Sequence, residues 1–255
     1  MNGKKLYMQS KKNEELQIQK NINVSESNTK KYPMKKKYIA FGDSLTYGML
    51  WNTNSNGKAV LTRAETGSRI PDRIANAVNC SEYTNCGVGG MGYVITTEDN
   101  PDTILTHIKK QNITDCNLIT VMAGRNDGLA ALGTRASVAA DGTICGAIRE
   151  IIEYIRFQNK SCQIVIIQVT PYTSANKPFT ATSTSGWSLN DFDSEVSALC
   201  KDMNVGYASW YGCSLLNSWS ELSGGGGNYA HMKEASDYEQ MGNFIAGQVS
   251  KFFLN

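Results

Sequence analysis

The sequence lacks the features that mark membrane and secreted proteins. No run of about 18 apolar residues is present, so a membrane-spanning helix is not expected. The first 20 residues contain lysines but no apolar core of about 7–15 residues, which a secretory signal requires. These absences predict a cytoplasmic protein, with export by another route left open.

The seven cysteines do not form a recognisable set. Their number is odd, they are scattered, and no Cys-x-x-Cys pair occurs. A disulfide framework or a structural zinc site would need paired or regularly spaced cysteines. We therefore expect reduced thiols in the core. No ligand cluster suggests a metal, and no organic cofactor is expected.

Three common motifs are also missing. The chain has no Gly-x-Ser-x-Gly elbow of an α/β-hydrolase and no P-loop. The glycine-rich run at 87–92 has the wrong spacing for a dinucleotide fingerprint and does not follow the first predicted strand. Nucleotide binding is therefore not predicted.

Charge is distributed unevenly along the 255 residues. Residues 1–37 contain ten lysines and three glutamates, a net charge of +7, so the remainder carries −5 against the total of +2. Lysines with almost no interleaved aromatic residues or arginines do not predict nucleic-acid binding. We expect residues 1–36 to form a basic, disordered extension. Residues 37–255 are expected to form one domain, long enough to bury a full core.

From residue 37 onwards, short apolar runs alternate with amphipathic stretches. Strands are predicted at 37–41, 82–86, 117–123, 163–169 and 206–209, and helices at 69–78, 101–110, 141–158, 190–202 and 234–253. This alternation predicts an α/β fold with a mostly parallel five-stranded sheet that carries helices on both faces. Ligand sites in such sheets lie at the carboxyl ends of the strands. Two stretches without clear periodicity, 49–68 and 172–188, are expected to be loops near that edge.

Gly42-Asp43-Ser44-Leu45 follows directly on the first predicted strand. A serine there lies at the mouth of the sheet, and its amide can face a developing anion where the next helix begins. Aspartate and serine are also ordinary turn and helix-cap residues. The tetrapeptide alone therefore does not decide between catalysis and a turn.

Two further strand ends carry groups suited to binding an anion. The second strand runs into a loop with Gly90, where the missing side chain lets an amide be aimed into a site. The third runs into Gly124-Arg125-Asn126-Asp127, where Asn126 offers a side-chain amide. A flexible glycine turn and a turn closed by its own side chains are the plain alternatives.

The chain has only two histidines, and a serine nucleophile needs a general base. His107 lies in a predicted helix followed by lysines, which is typical of a surface residue. His231 lies in a loop just before the last helix and can reach the strand ends. A lone loop histidine is usually only solvated, but His231 is the better candidate.

In this order, the four segments resemble the SGNH, or GDSL, hydrolase family. GDSLTYG resembles its first block, NCGVGG its second, GRND its third and NYAHMKEASDYEQMG its last. The resemblance spans about residues 37–253. It implies a flavodoxin-like three-layer α/β/α sandwich and hydrolysis of esters through a serine.

The resemblance also assigns roles. It implies that Ser44 attacks the ester carbonyl and that His231 moves the proton. The amides of Ser44 and Gly90 and the side chain of Asn126 would hold the oxyanion, while Asp127 would be structural.

The sequence departs from the family at the residue that orients the histidine. Three positions before His231 the pattern has aspartate, whereas this chain has Asn228. An amide oxygen accepts a hydrogen bond but brings no charge, and it can select the wrong tautomer. Three alternatives remain open. Asn228 or a backbone carbonyl orients a Ser–His dyad, a nearby carboxylate (Glu221, Glu234 or Asp237) substitutes, or the site is impaired.

The family implies a small or medium acyl ester as substrate. Trp51, Tyr172 and Trp187 lie in the two long loops and are candidates for stacking on a sugar or covering an acyl chain, although packing is an equal interpretation. The first expectation is an O-acetyl carbohydrate esterase. A lipid esterase, a thioesterase, an acyltransferase and a non-catalytic carbohydrate- or surface-binding module remain alternatives.

Overall fold

The structure is a computed structural model that describes residues 36–53, 56, 58–96, 101–171, 180, 182–218 and 231–253. The predicted basic extension lies outside these residues, apart from Lys36. Tyr172, Glu221 and Asn228 lie outside them too.

The strands are β1 (Lys37–Gly42), β2 (Met49–Thr53), β3 (Ala59–Arg63), β4 (Glu82–Gly87), β5 (Leu118–Met122), β6 (Gln163–Ile167) and β7 (Gly206–Ala208). Five of them form one sheet in the order β4-β1-β5-β6-β7, and every neighbouring pair is parallel. This is the 2-1-3-4-5 order of a doubly wound α/β sheet, which confirms the predicted fold class. The register places Gly42 beside both Gly87 and Met122, so three carboxyl ends meet at one edge.

The helices are α1 (Ser44–Tyr47), α2 (Ile70–Ala77), α3 (Ile104–Lys109), α4 (Ile144–Gln158), α5 (Leu189–Asp202) and α6 (Ala235–Phe253). The core has two halves, one on each face of the sheet. Buried side chains of α3, α4 and α5 fill one half, and those of α2 and α6 fill the other. Strand β5 is buried along its whole length because helices cover both of its faces. No helix in the described part of the chain is long and apolar enough to cross a bilayer.

The predicted loop at 49–68 is wrong over its first part. Strands β2 and β3 pair as an antiparallel hairpin, with Met49 opposite Arg63 and Trp51 opposite Leu61. The hairpin is too short for its alternation to stand out in the sequence. Its pattern depends on Leu50, which is buried in the core while its neighbours along the strand are less covered.

The structure also bears on the predictions made for the cysteines and for His107. All seven cysteines have free thiols, and five of them are buried. His107, expected at the surface, is half-buried, with its ring in an edge-to-face contact with Phe41 at 6.0 Å between centroids.

Candidate active site

Ser44 opens helix α1 directly after the end of β1. Asp43 caps this short helix, because its Oδ1 accepts a hydrogen bond from the Leu45 amide at 2.9 Å. A Cβ on Gly42 would lie 2.0 Å from Thr46 Oγ1 and 2.2 Å from the Met122 carbonyl oxygen. Only glycine fits there, so the turn is held tightly against β5 and fixes the position of Ser44.

The structure brings Ser44 and His231 together. His231 Nε2 lies 2.8 Å from Ser44 Oγ. Ser44 is only 6% exposed, and His231 is half-buried. The pair is therefore largely shielded from water, which strengthens any interaction between charges that form there.

The surroundings of His231 keep its imidazole neutral. Burial lowers the pKa of its imidazole to about 4, and the positive charge of Arg125 lowers it further in the same direction. The ring is therefore neutral at pH 7. In the tautomer with Nε2 unprotonated, Nε2 can accept a hydrogen bond from the Ser44 hydroxyl, and Nδ1 carries the N–H. Within the described part of the chain, the buried Nδ1 has no hydrogen-bond partner.

The two described carboxylates that could have replaced the family aspartate do not do so. Asp237 accepts a hydrogen bond from the Glu234 amide at 3.3 Å, next to the start of α6. Glu234 itself is exposed. Neither bonds to His231, so this alternative is wrong for both residues. Asn228 and Glu221, the other candidates, lie outside the described residues.

The two loops expected to bind the oxyanion are joined to each other. Gly90, in the loop after β4, has φ of +78°, a conformation that favours glycine. Asn126 lies in the 3₁₀ turn Arg125–Asp127 after β5, and its Nδ2 donates to the Met91 carbonyl at 2.9 Å. This bond fixes which way the amide faces and leaves a second N–H on Nδ2.

Asp127 has a structural role. Its carboxylate is fully buried and accepts the amides of Tyr93, Val94 and Ile95 at 2.7–2.8 Å. A Cβ on Gly92 would lie 2.6 Å from Asp127 Oδ1, so glycine is needed for this approach. The carboxylate thereby ties the loop after β4 to the turn that carries Asn126.

Sequence reasoning missed the electrostatic part played by Arg125 and Asp43. Burial raises the pKa of the Asp43 carboxyl to about 7, while Arg125 acts in the opposite direction. Arg125 Nη1 donates to the Pro171 carbonyl, which links the loops after β5 and β6. A cation thus influences both Asp43 and His231. The available signal was the place of Arg125 in the third block, directly before Asn126.

Sequence reasoning also missed how the hairpin supports the histidine segment. The Trp51 amide donates to the Met232 carbonyl at 2.8 Å. The hydroxyl of Tyr238, in α6, donates to the Met49 carbonyl at 2.6 Å. Strand β2 is therefore bonded to the chain on the C-terminal side of His231 and limits how far His231 can move.

The aromatic residues predicted to contact substrate differ in how deeply they are buried. Trp51 is half-buried on the hairpin. Trp187 is only 5% exposed, its Nε1 donates to the Ala130 carbonyl at 3.0 Å, and its ring lies 5.9 Å from that of Phe192. The prediction that Trp187 binds substrate is therefore wrong, because its ring packs in the core. Tyr172 lies outside the described residues.

The sequence matches the GDSL-like lipase/acylhydrolase family over residues 40–236. The chain belongs to this family. The esterase is accordingly a carboxylic-ester hydrolase, as the four sequence blocks predicted.

Solved structures share the fold of the esterase at low sequence identity. A carbohydrate acetylesterase from Sinorhizobium meliloti is 16% identical, with a TM-score of 0.58 over 86% of this chain and all of the other. An aryl esterase from M. smegmatis is 18% identical, with a TM-score of 0.56 over 85% of this chain and 99% of the other. A search of curated protein sequences gave no significant match to the esterase.

Proposed function

We propose that the protein hydrolyses small or medium acyl esters, in the first place O-acetyl esters of carbohydrates, through an acyl-enzyme on Ser44. The hydrogen bond of 2.8 Å between Ser44 Oγ and His231 Nε2 carries this proposal. A neutral, shielded imidazole next to a serine hydroxyl is the arrangement that activates the serine as a nucleophile.

In the first half of the reaction, Ser44 Oγ attacks the ester carbonyl carbon while His231 Nε2 takes the hydroxyl proton. The carbonyl oxygen becomes an oxyanion. The amides of Ser44 and Gly90 and the second N–H of Asn126 bind this oxyanion, and each such donor stabilises the transition state more than the ground state. His231 then gives its proton to the leaving alcohol, and the acyl group stays on Ser44.

In the second half, water replaces the alcohol. His231 takes a proton from the water, and the resulting hydroxide attacks the acyl carbon. The same donors bind the second oxyanion. The proton on His231 returns to Ser44 Oγ as the carboxylic acid leaves, so the enzyme is restored and no other reactant is needed.

The acid of a complete triad is replaced in this proposal by a weaker acceptor. Asn228, or a backbone carbonyl near it, would hold the Nδ1–H of His231 without bringing a negative charge. Such a dyad retains the proton transfer but loses part of the stabilisation of imidazolium. The pKa of His231 is lowered to about 4, so the surroundings of the ring already disfavour its protonated form.

The choice of a carbohydrate ester starts from a protein with the same fold, a carbohydrate acetylesterase that is 16% identical to this chain. In addition, Trp51 lies on the hairpin bonded to the His231 segment, and an indole is well suited to packing on the apolar face of a sugar ring.

The first test is chemical labelling. Wild type, Ser44→Ala and Ser183→Ala are treated with a fluorophosphonate, and the labelled residue is found by mass spectrometry. Ser183 is the matched control, since it is as buried as Ser44. We expect label on Ser44 in the wild type and in Ser183→Ala, and none in Ser44→Ala.

Release of acetate from acetylated sugars by the labelling-competent protein then tests the substrate class. A folded wild type that does not label would contradict the acyl-enzyme and favour a binding module on the same scaffold. If Ser44 is labelled but no acetate is released from acetylated sugars, the substrate would be another kind of ester.

A further inference from the structure

The chain next to His231 touches the edge of the hairpin through one isolated β-bridge. Met232 pairs with Leu50 in a parallel bridge, and the Trp51 amide donates to the Met232 carbonyl. Side chains of directly paired residues point to the same face, and their neighbours along each strand point to the other. Leu50 and Met232 are indeed both buried in the same half of the core. His231 therefore shares the opposite face with Met49 and Trp51.

This opposite face continues away from the site. It carries the apolar residues Met49, Trp51 and Leu61 and also Arg63, which pairs with Met49 and holds its guanidinium over the Tyr47 ring at 3.9 Å from the ring centroid. Leu61 is paired with Trp51 across the hairpin and lies on the same face. At the other end, a Cβ on Gly89 would lie 3.2 Å from Met49 Cε, so the methionine reaches the glycine loop next to Gly90. We call the surface formed by Met49, Trp51 and Leu61 the hairpin ledge. Leu61 is 48% exposed, so the end of the hairpin ledge that Leu61 forms is open to solvent.

We propose that the hairpin ledge binds the alcohol half of the ester, and that this alcohol carries a ring with a flat apolar face. The proposal rests on the proposed function, because it needs Ser44 and His231 to act on an ester. His231 must deliver its proton to the leaving oxygen, so the alcohol has to lie on the His231 side of the scissile bond. By the register of the parallel bridge, Met49 lies beside His231 on that same face.

The chemistry of the ledge selects a ring rather than a chain. An indole beside a branched aliphatic side chain offers a broad surface on which a planar or chair-shaped ring buries apolar area. A small alcohol such as ethanol leaves most of this surface uncovered. The acyl group lies on the other side of the reacting carbon and gains nothing from Trp51 or Leu61.

The test separates the two halves of the ester. Wild type, Leu61→Ala, Trp51→Phe and Trp51→Ala are compared by kcat/KM on ethyl acetate, naphthyl acetate and glucose pentaacetate, in which the alcohol varies. They are then compared on p-nitrophenyl acetate, butyrate and hexanoate, in which the acyl chain varies. Phe157→Ala is the matched control, because Phe157 is an apolar side chain that is 80% exposed on α4, away from the hairpin.

We expect Leu61→Ala to lower kcat/KM on a ring ester by about fivefold and Trp51→Ala by about tenfold or more, through lost apolar contact. Trp51→Phe should retain most of the activity. Ethyl acetate should change less than twofold, the ratio of hexanoate to acetate should not move, and Phe157→Ala should behave as wild type. The relative loss on naphthyl and sugar acetates identifies which kind of ring the ledge prefers.

Equal losses on ethyl and naphthyl acetate, or losses that grow with acyl length, would overturn the assignment of the ledge to the alcohol. Unchanged discrimination in a protein whose Ser44 reacts with fluorophosphonate would overturn this inference alone. Failure of Ser44 to react would overturn the proposed function and the ledge assignment together.

Discussion

His231 Nε2 and Ser44 Oγ meet at 2.8 Å although 187 positions separate the two residues in the chain. Each is held by its own support. Ser44 is fixed by the tight turn after β1, and His231 by the bond between Met232 and Trp51. The geometry of the pair therefore depends on two elements that can be altered separately.

The pH dependence of activity should reflect the shielding of His231. Its pKa is lowered to about 4 by burial and by Arg125, and the proposed mechanism needs the neutral ring. As the pH is lowered past 6.5, the wild-type kcat/KM should therefore stay level, and it should decrease only near pH 4. Arg125→Gln should raise the pKa and move this acidic limb to higher pH, while Arg125→Lys retains the charge and should move it less. A wild-type limb at the ordinary histidine value would contradict this account.

The same lowered pKa affects stability. In the unfolded chain His231 binds a proton below about pH 6.5, whereas in the folded protein it does not until about pH 4. The free energy of unfolding should therefore decrease as the pH falls through this window. In urea titrations at pH 7 and pH 4.5, His231→Gln should lose less stability between the two than the wild type. An equal loss in both proteins would assign it to other groups.

Asn126→Ala should remove one oxyanion donor. We expect kcat to fall by about 10²–10³ with little change in KM, because the donor acts on the transition state. The bond to the Met91 carbonyl is lost as well, so the melting temperature is measured in parallel. Asn126→Asp retains the size but not the donor and should be similarly slow. A fall in kcat of less than about threefold would assign Asn126 a structural role only.

Gly90→Ala should impair activity more than stability. Gly90 and Gly142 both have positive φ, +78° and +63°, and a Cβ on either would meet no atom within 4 Å. Each alanine should therefore cost about 1–2 kcal/mol of backbone strain. Only Gly90→Ala should also lower kcat, since it shifts an amide in the proposed oxyanion site. Equal kcat in the two variants would remove Gly90 from that site.

Asp127→Asn should destabilise the fold. The carboxylate accepts three backbone N–H groups, and an asparagine turns an NH₂ group towards part of them. We expect the free energy of unfolding to fall by about 3 kcal/mol, as for buried bonds to a charged group. Asp141→Asn is the control, because Asp141 is exposed and accepts the Val138 amide, so its substitution should cost far less. Similar losses in urea titrations of the two variants would contradict the role of Asp127.

Asn228→Asp should return a charge to the position where the family has its acid. A carboxylate there favours the protonated imidazole, so the acidic limb of kcat/KM should move to higher pH. Asn228→Ala is the companion variant and should not raise the limb. An unmoved limb in Asn228→Asp would show that another group orients His231.

The sequence predicted the strands and helices that have a local apolar pattern. It missed the features that depend on a residue far away in the chain. The five parallel strands and the helices between them follow from apolar runs such as Ile164–Ile167, whose burial on both faces is visible in the composition. The hairpin was missed because its inward residue, Leu50, has meaning only beside Met232, far along the chain. Trp187 was misjudged because its indole N–H bonds to Ala130, which no local pattern indicates.

Some features of the candidate site could likewise be predicted from the sequence and others could not. Ser44, Gly90 and Asn126 follow strand ends, so topology alone places them near one edge. Arg125 lowers the pKa of His231 because the two residues are close in space, and the order of the sequence blocks does not reveal this proximity. The absence of a bond from Glu234 or Asp237 to His231 likewise could be seen only in three dimensions.

The bridge between Leu50 and Met232 has a consequence for folding kinetics. Neighbouring strands of the sheet pair residues 41 to 80 positions apart, as Val165 with Gly206 and Tyr38 with Leu118, whereas Leu50 and Met232 are 182 positions apart. The bridge closes a longer loop than these pairs and is therefore expected to form later. During synthesis Ser44 emerges early, but its proposed base, His231, can reach it only after residue 232 has been added and has docked on the hairpin. In the proposed mechanism Ser44 therefore becomes reactive only late in folding.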